Sequence, residues 1–107
     1  MVFVESPWFS AWRESNLADD LFRALEETLS LHPEAGALIS GGRGLRKIRV
    51  ALAGRGKRGG GRVVYYHWAR KDRIYLLMGY AKNVRAELSR DQIRRLARVI
   101  HEEADNG

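Results

Sequence analysis

The chain has 107 residues with 45% apolar and 30% charged side chains, a composition of globular rather than disordered proteins. Its length fits one domain spanning 1–107. It has no cysteine, which excludes a disulfide scaffold, a thiolate nucleophile and any Cys-ligated metal site.

Val2-Phe3-Val4 is a short β-rich run and predicts an N-terminal strand. No basic, apolar leader precedes it and no apolar run is long enough to span a membrane, so a cytoplasmic protein without membrane contact is expected. Ser6-Pro7 places a capping residue before a proline at the first helical position. Trp8, Phe9 and Trp12 follow at helical spacing, giving a short helix over about 7–14. Asn16 is the next cap candidate. Leu17, Leu21, Phe22, Leu25 and Leu29 repeat with helical period opposite Asp19, Asp20, Glu26 and Glu27, so an amphipathic helix runs over about 17–31. Pro33 stops it.

His32 to Gly44 lacks a period and reads as a loop. From Leu45 to Leu52 the chain alternates, with Arg46, Ile48, Val50 and Leu52 on one strand face and Lys47, Arg49 and Ala51 on the other. A glycine-rich basic connection, AGRGKRGGG, leads to RVVYYHW at 62–68, a β-branched and aromatic strand. Lys71-Asp72 is a turn. IYLLMGYAK at 74–82 is apolar on both faces and predicts a central strand. Ser89 to Gln92 forms a capping box, with Leu88 and Ile93 as its hydrophobic staple, and opens a helix ending near Glu103. The order β-α-α-β-β-β-α predicts an α+β domain with a mainly antiparallel sheet and helices packed on one face.

The net charge of +6 is strongly segregated. Residues 1–37 carry two basic against seven acidic groups, residues 38–85 carry thirteen basic groups against Asp72 alone, and residues 86–107 carry four against five. So concentrated a positive charge stores repulsion that a polyanion relieves; a generally adhesive basic surface is the plainer alternative. His32, His67 and His101 have no metal-ligand spacing, and neither glycine segment fits a P-loop. No cofactor or metal is therefore expected. Arg58-Gly59-Gly60 is a weak RNA-binding signal within what also reads as a flexible hairpin loop.

What remains is a set of cations and tyrosines on adjacent strands. Lys47 and Arg49 share a strand face, Arg62 opens the next strand, and Tyr80 and Lys82 end the following one, sharing a face unless a bulge intervenes. In an antiparallel meander these positions converge on one sheet surface. Arginine offers a planar fork to phosphate oxygens and lysine a point charge. RNA carries its own nucleophile, the 2′-hydroxyl, so a protein that aligns it with the adjacent phosphorus needs neither metal nor histidine.

FVESPWF at 3–9, HPEAG at 32–36, GLRKIRVA at 44–51, GRGKRGGGRVVYY at 54–66, IYLLMGYAKN at 74–83 and the L-S-x-x-Q helix start at 88–92 are similar to segments of one family, in the same order. The chain resembles the RelE/ParE superfamily of bacterial toxins, and within it the HigB-type toxins of type II toxin–antitoxin systems. The resemblance implies a ribosome-dependent mRNA interferase that activates the 2′-hydroxyl of an A-site codon and leaves a 2′,3′-cyclic phosphate and a 5′-hydroxyl. By this resemblance Lys47 and Arg49 match a cationic pair on one strand, Arg62 the arginine of the next and Lys82 the position ending the last; their charges assign Lys47 as base candidate, Arg62 as transition-state clamp, and Arg49 and Lys82 as phosphate ligands, one of them a candidate to assist the leaving 5′-oxygen. Some members carry a further tyrosine or histidine after the last strand; here residues 83–88 are NVRAEL, leaving the general acid open with Tyr80 as a candidate.

Arg43, Arg46, Arg55, Lys57, Arg58 and Arg85 are the candidates for contacts with RNA and the ribosome, with Tyr66 as a stacking surface. Tyr65 and Trp68 read as core. The implied partners are the ribosome and its mRNA, and a small antitoxin with a helix-turn-helix, through which alone operator DNA is contacted. Two other readings remain: a ParE-branch gyrase poison, which would share the fold and need no cationic cluster, and a non-catalytic RNA- or ribosome-binding module, which would use the same charges for phosphate contact only.

Overall fold

The computed structural model describes residues 1–52, 60–85 and 87–106, with side chains to 103. Strand β1 (Val2–Glu5) leads into helices α1 (Pro7–Asn16) and α2 (Asp19–Leu31). Strands β2 (Ala37–Leu38), β3 (Arg46–Val50), β4 (Gly61–Trp68) and β5 (Arg73–Ala81) follow, and helix α3 (Arg90–Asn106) closes the chain. The sheet order is β1-β5-β4-β3-β2, with β1 parallel to β5 and the other pairs antiparallel. The α+β class, the meander and the two-sided burial of β5 between β1 and β4 follow the sequence expectation. Among the described residues no helix is long and apolar enough to cross a membrane.

The helices do not all lie on one face. Phe9, Leu17, Leu25 and Leu29 pack with Val50, Val63, Tyr65, Ile74 and Leu76 on one side of the sheet. Ala97 and Ile100 of α3 pack with Val64, Tyr75, Leu77 and Tyr80 on the other. The expectation of one covered face is thus corrected. Alternate residues of β4 and β5 are apolar on both sides, so each side needs its own cover to leave water. A bulge at Leu77, where the pairing steps from Tyr65↔Leu76 to Val64↔Met78, resets the alternation so that Tyr80 lies on the α3 side.

Local signals formed much as read. Ser6 Oγ accepts from Phe9 N at 3.0 Å, with Pro7 in the first turn. The capping box is reciprocal: Gln92 N donates to Ser89 Oγ at 3.1 Å and Ser89 N to Gln92 Oε1 at 2.9 Å. Asn16, expected to cap the second helix, instead ends the first, donating from Nδ2 to Trp12 O. Leu17 N bonds back to Arg13 O while its side chain enters the core, so α2 starts two residues later with no side-chain cap.

The segment read wholly as loop contains β2, which pairs with β3 as Ala37↔Lys47 and Leu38↔Arg46. Tyr65, fully buried, ties this segment down: its Oη accepts from Gly36 N at 2.9 Å and donates to Pro33 O at 2.8 Å. A Cβ on Gly36 would meet the Tyr65 ring at 2.7 Å, so only glycine permits the approach.

Candidate functional site

The pairing register assembles the site. Arg49 lies opposite Arg62, and Arg62 lies opposite Tyr80, so the three form a row across β3, β4 and β5. Ile48 and Val50 turn towards α1 and α2, which sends Lys47 and Arg49 to the opposite face by the alternation of a strand. Lys82 follows β5, and its backbone N–H donates to Gly60 O at 2.9 Å. Together with Ala37 and Glu87 these five side chains line a cleft of about 270 Å³. All five sequence-derived catalytic candidates are therefore brought together.

Like charges directly opposite each other on a sheet are destabilising. The facing guanidinium groups of Arg49 and Arg62 therefore favour an anion between them. Arg62 is only 8% exposed and donates from Nη1 to Gly61 O at 3.0 Å, which fixes the plane of its guanidinium. Tyr80 is buried beside it. Burial pushes its phenol above the usual tyrosine range; the positive charge of Arg62 partly opposes this, the carboxylate of Glu87 adds to it, and Arg85 opposes it. The phenol thus holds its proton at neutral pH.

Glu87 is the residue that sequence reasoning missed. Its Oε1 lies 3.6 Å from Lys47 Nζ, and it lines both the cationic cleft and an adjoining one of about 310 Å³ bounded by Ser40, Leu88 and Ile93. The signal in the sequence is an acidic residue in the short turn between Lys82 and the capping box, the one carboxylate of residues 82–89.

The candidates for wider RNA contact scatter. Arg85 sits in the turn after β5, its backbone N–H bonded to Ala81 O, and its Nη1 is buried without a hydrogen-bond partner among the described residues. Arg46 points to the α1–α2 side, where its Nη1 donates to Gly36 O at 2.8 Å and Glu34 O at 3.3 Å, so it braces the loop instead of joining the cleft. Arg43 is exposed with φ 53°, and its carbonyl lies 2.7 Å from His101 Nε2. Tyr66 shares the face of Arg62, but its ring meets His101 edge-on at 5.4 Å between centroids. Arg55, Lys57 and Arg58 lie outside the described residues.

Chemically, the cleft presents four cations, a protonated phenol and a carboxylate within a small volume. That set can bind a phosphodiester, stabilise added negative charge on it and move protons at its two ends. The sequence matches a family model described as the RelE toxin of the RelE / RelB toxin–antitoxin system over residues 1–105. Among solved structures, the fold is similar to that of a double arginine-to-alanine mutant of the E. coli toxin RelE in the free state. The TM-score is 0.55 at 18% identity, covering 90% of this chain and 92% of that one.

Proposed function

The chain belongs to the RelE family of toxin–antitoxin toxins, and from that premise we propose that it is a ribosome-dependent mRNA endoribonuclease of the HigB type. The observation that carries the proposal is the row Arg49–Arg62–Tyr80, flanked by Lys47 and Lys82 in one cleft. The HigB assignment rests on the ordered motifs GLRKIRVA, GKRGGGRVVYY and IYLLMGYAKN.

The reaction is attack of a ribose 2′-oxygen on the adjacent phosphorus. Arg62, held in plane and largely removed from water, contacts the non-bridging oxygens as they gain charge in the pentacoordinate state. Arg49 and Lys82 hold the same phosphate from either side. Preorganised charge of this kind acts without reorganisation at the moment of reaction. Tyr80, whose phenol carries its proton at neutral pH, gives that proton to the departing 5′-oxygen. The products are a 2′,3′-cyclic phosphate and a 5′-hydroxyl. Lys47, at the edge of the cleft, is the base candidate named from the sequence. The partner is a cognate antitoxin, a small helix-turn-helix protein with an acidic segment that neutralises the basic stretch 43–62.

The test is cleavage of mRNA on programmed ribosomes by the purified chain. Cuts in the A-site codon with a cyclic phosphate end are expected. Arg62→Ala should lower the rate by about 10²–10³, the usual cost of losing one such charge-stabilising group, while the far-ultraviolet spectrum stays native. Intact mRNA with gyrase-dependent DNA damage on expression would replace the proposal with a gyrase poison. Ribosome binding without cleavage would leave a binding module.

A further inference from the structure

We propose that Glu87 is the proton acceptor for the attacking 2′-hydroxyl, with Lys47 holding its carboxylate at the cleft edge. The inference rests on reading the cleft as a ribonuclease site. Its basis is a juxtaposition: one carboxylate, 3.6 Å from the Lys47 ammonium, in a cleft otherwise furnished with cations and a phenol. The charged and titratable groups that share the cleft with Glu87 are Lys47 and Arg49 from β3, Arg62 from β4, Tyr80 from β5, and Lys82 from the turn that follows.

A base must be unprotonated before it acts. An ordinary carboxylate meets that condition at neutral pH, whereas an ordinary lysine amine must first lose a proton that it binds with a pKa of about 10.4. The Tyr80 phenol also carries its proton at neutral pH. Arginine cannot serve. Glu87 is thus the described group lining the cleft that is ready to accept. Its side chain is 75% exposed, which leaves it open to an entering ribose. The four cations of the cleft outweigh its single negative charge, so the phosphate is still attracted.

The step balances. The 2′-O–H proton passes to the Glu87 carboxylate as the 2′-O–P bond forms. The P–O5′ bond breaks, and the 5′-oxygen takes its proton from Tyr80. Glu87 then releases a proton to water, and the Tyr80 phenolate takes one back.

The experiment is single-turnover cleavage of A-site mRNA on programmed ribosomes across pH 5.5–8.5, with ribosome affinity measured in parallel. Glu87→Gln should slow cleavage by about 10²–10⁴, the usual contribution of a positioned base, without weakening ribosome affinity, because the substitution removes a negative charge from a cationic cleft. Glu87→His should restore part of the rate and impose a new rise with pH centred near 6.5, the ordinary imidazole value. A Glu87→Gln rate equal to or above that of the unsubstituted protein overturns the proposal and returns the base role to Lys47. A slow Glu87→Gln with no imidazole titration in Glu87→His also overturns it and leaves Glu87 as a positioning residue. Failure of the unsubstituted protein to cleave programmed mRNA removes the ribonuclease reading itself, an outcome visible before any variant is compared.

Discussion

Tyr65→Phe removes one oxygen and should cost far more than its size suggests. The phenol is fully buried and makes two bonds, accepting from Gly36 N at 2.9 Å and donating to Pro33 O at 2.8 Å. Without it the Gly36 N–H stays buried and unpaired, a penalty of about 1–3 kcal/mol, and the bond to Pro33 is lost for about 1 kcal/mol. The sum, roughly 2–4 kcal/mol, is a large part of the roughly 5–15 kcal/mol that holds a domain together. It should lower the thermal midpoint by roughly 10–20 °C. Urea unfolding should show a lower midpoint at constant m value. Faster hydrogen exchange at Ala37 and Leu38 should accompany it, because Tyr65 anchors the loop that leads into β2.

A second signature follows from ionisation. Burial raises the Tyr65 phenol above its ordinary 10.0, although the bond from Gly36 partly opposes this, and burial raises Tyr80 as well. The unfolded chain therefore releases both protons at a lower pH than the folded chain. The stability these groups carry is complete below about pH 10 and is lost as pH rises beyond it, by up to ~1.4 kcal/mol per pH unit for each group. Tyr65→Phe should remove one of these two contributions and flatten the alkaline limb. A loss below about 0.5 kcal/mol at neutral pH, with the alkaline limb unchanged, would refute the anchoring role.

Gly79→Ala should destabilise by about 2 kcal/mol or more, read by urea unfolding and a shifted tryptophan emission, because the new Cβ would lie 2.1 Å from Trp12 Cε3; a neutral effect would mean that Trp12 is free to move aside. Affinity for single-stranded RNA or ribosomes should fall steeply with salt, because the basic residues of the cleft and its surroundings meet RNA phosphates; binding that does not change with salt would deny them that role. Purified toxin of verified activity should contain no stoichiometric zinc or manganese by elemental analysis, and a metal required for cleavage would overturn a mechanism carried by the side chains of the cleft. With antitoxin added, hydrogen exchange should slow over residues 43–62; protection confined to α2 would instead indicate exclusion from the ribosome by bulk.

Much of this protein is written locally. Ser6-Pro7 and the Ser89–Gln92 box start their helices because the bonds they make span three residues and need little from the rest of the chain. The shared face of Lys47 and Arg49 follows from the two-residue period of a strand, and the apolar character of β5 on both sides places it inside the sheet. The tertiary structure decided matters that depend on distant segments. Asn16 matched a helix start, but burial of Leu17 moved the boundary. Arg46 looked like one more surface cation, yet the loop held by Tyr65 presents carbonyls that capture it on the α1–α2 side. Two-sided strands signal that both faces need cover without stating which helix crosses to which side; that choice came from the turn after β5, which carries α3 over the face opposite α1 and α2. The same turn brings Glu87 to Lys47, forty residues away in sequence, a proximity that no spacing rule could express because it is created by the pairing of β3, β4 and β5.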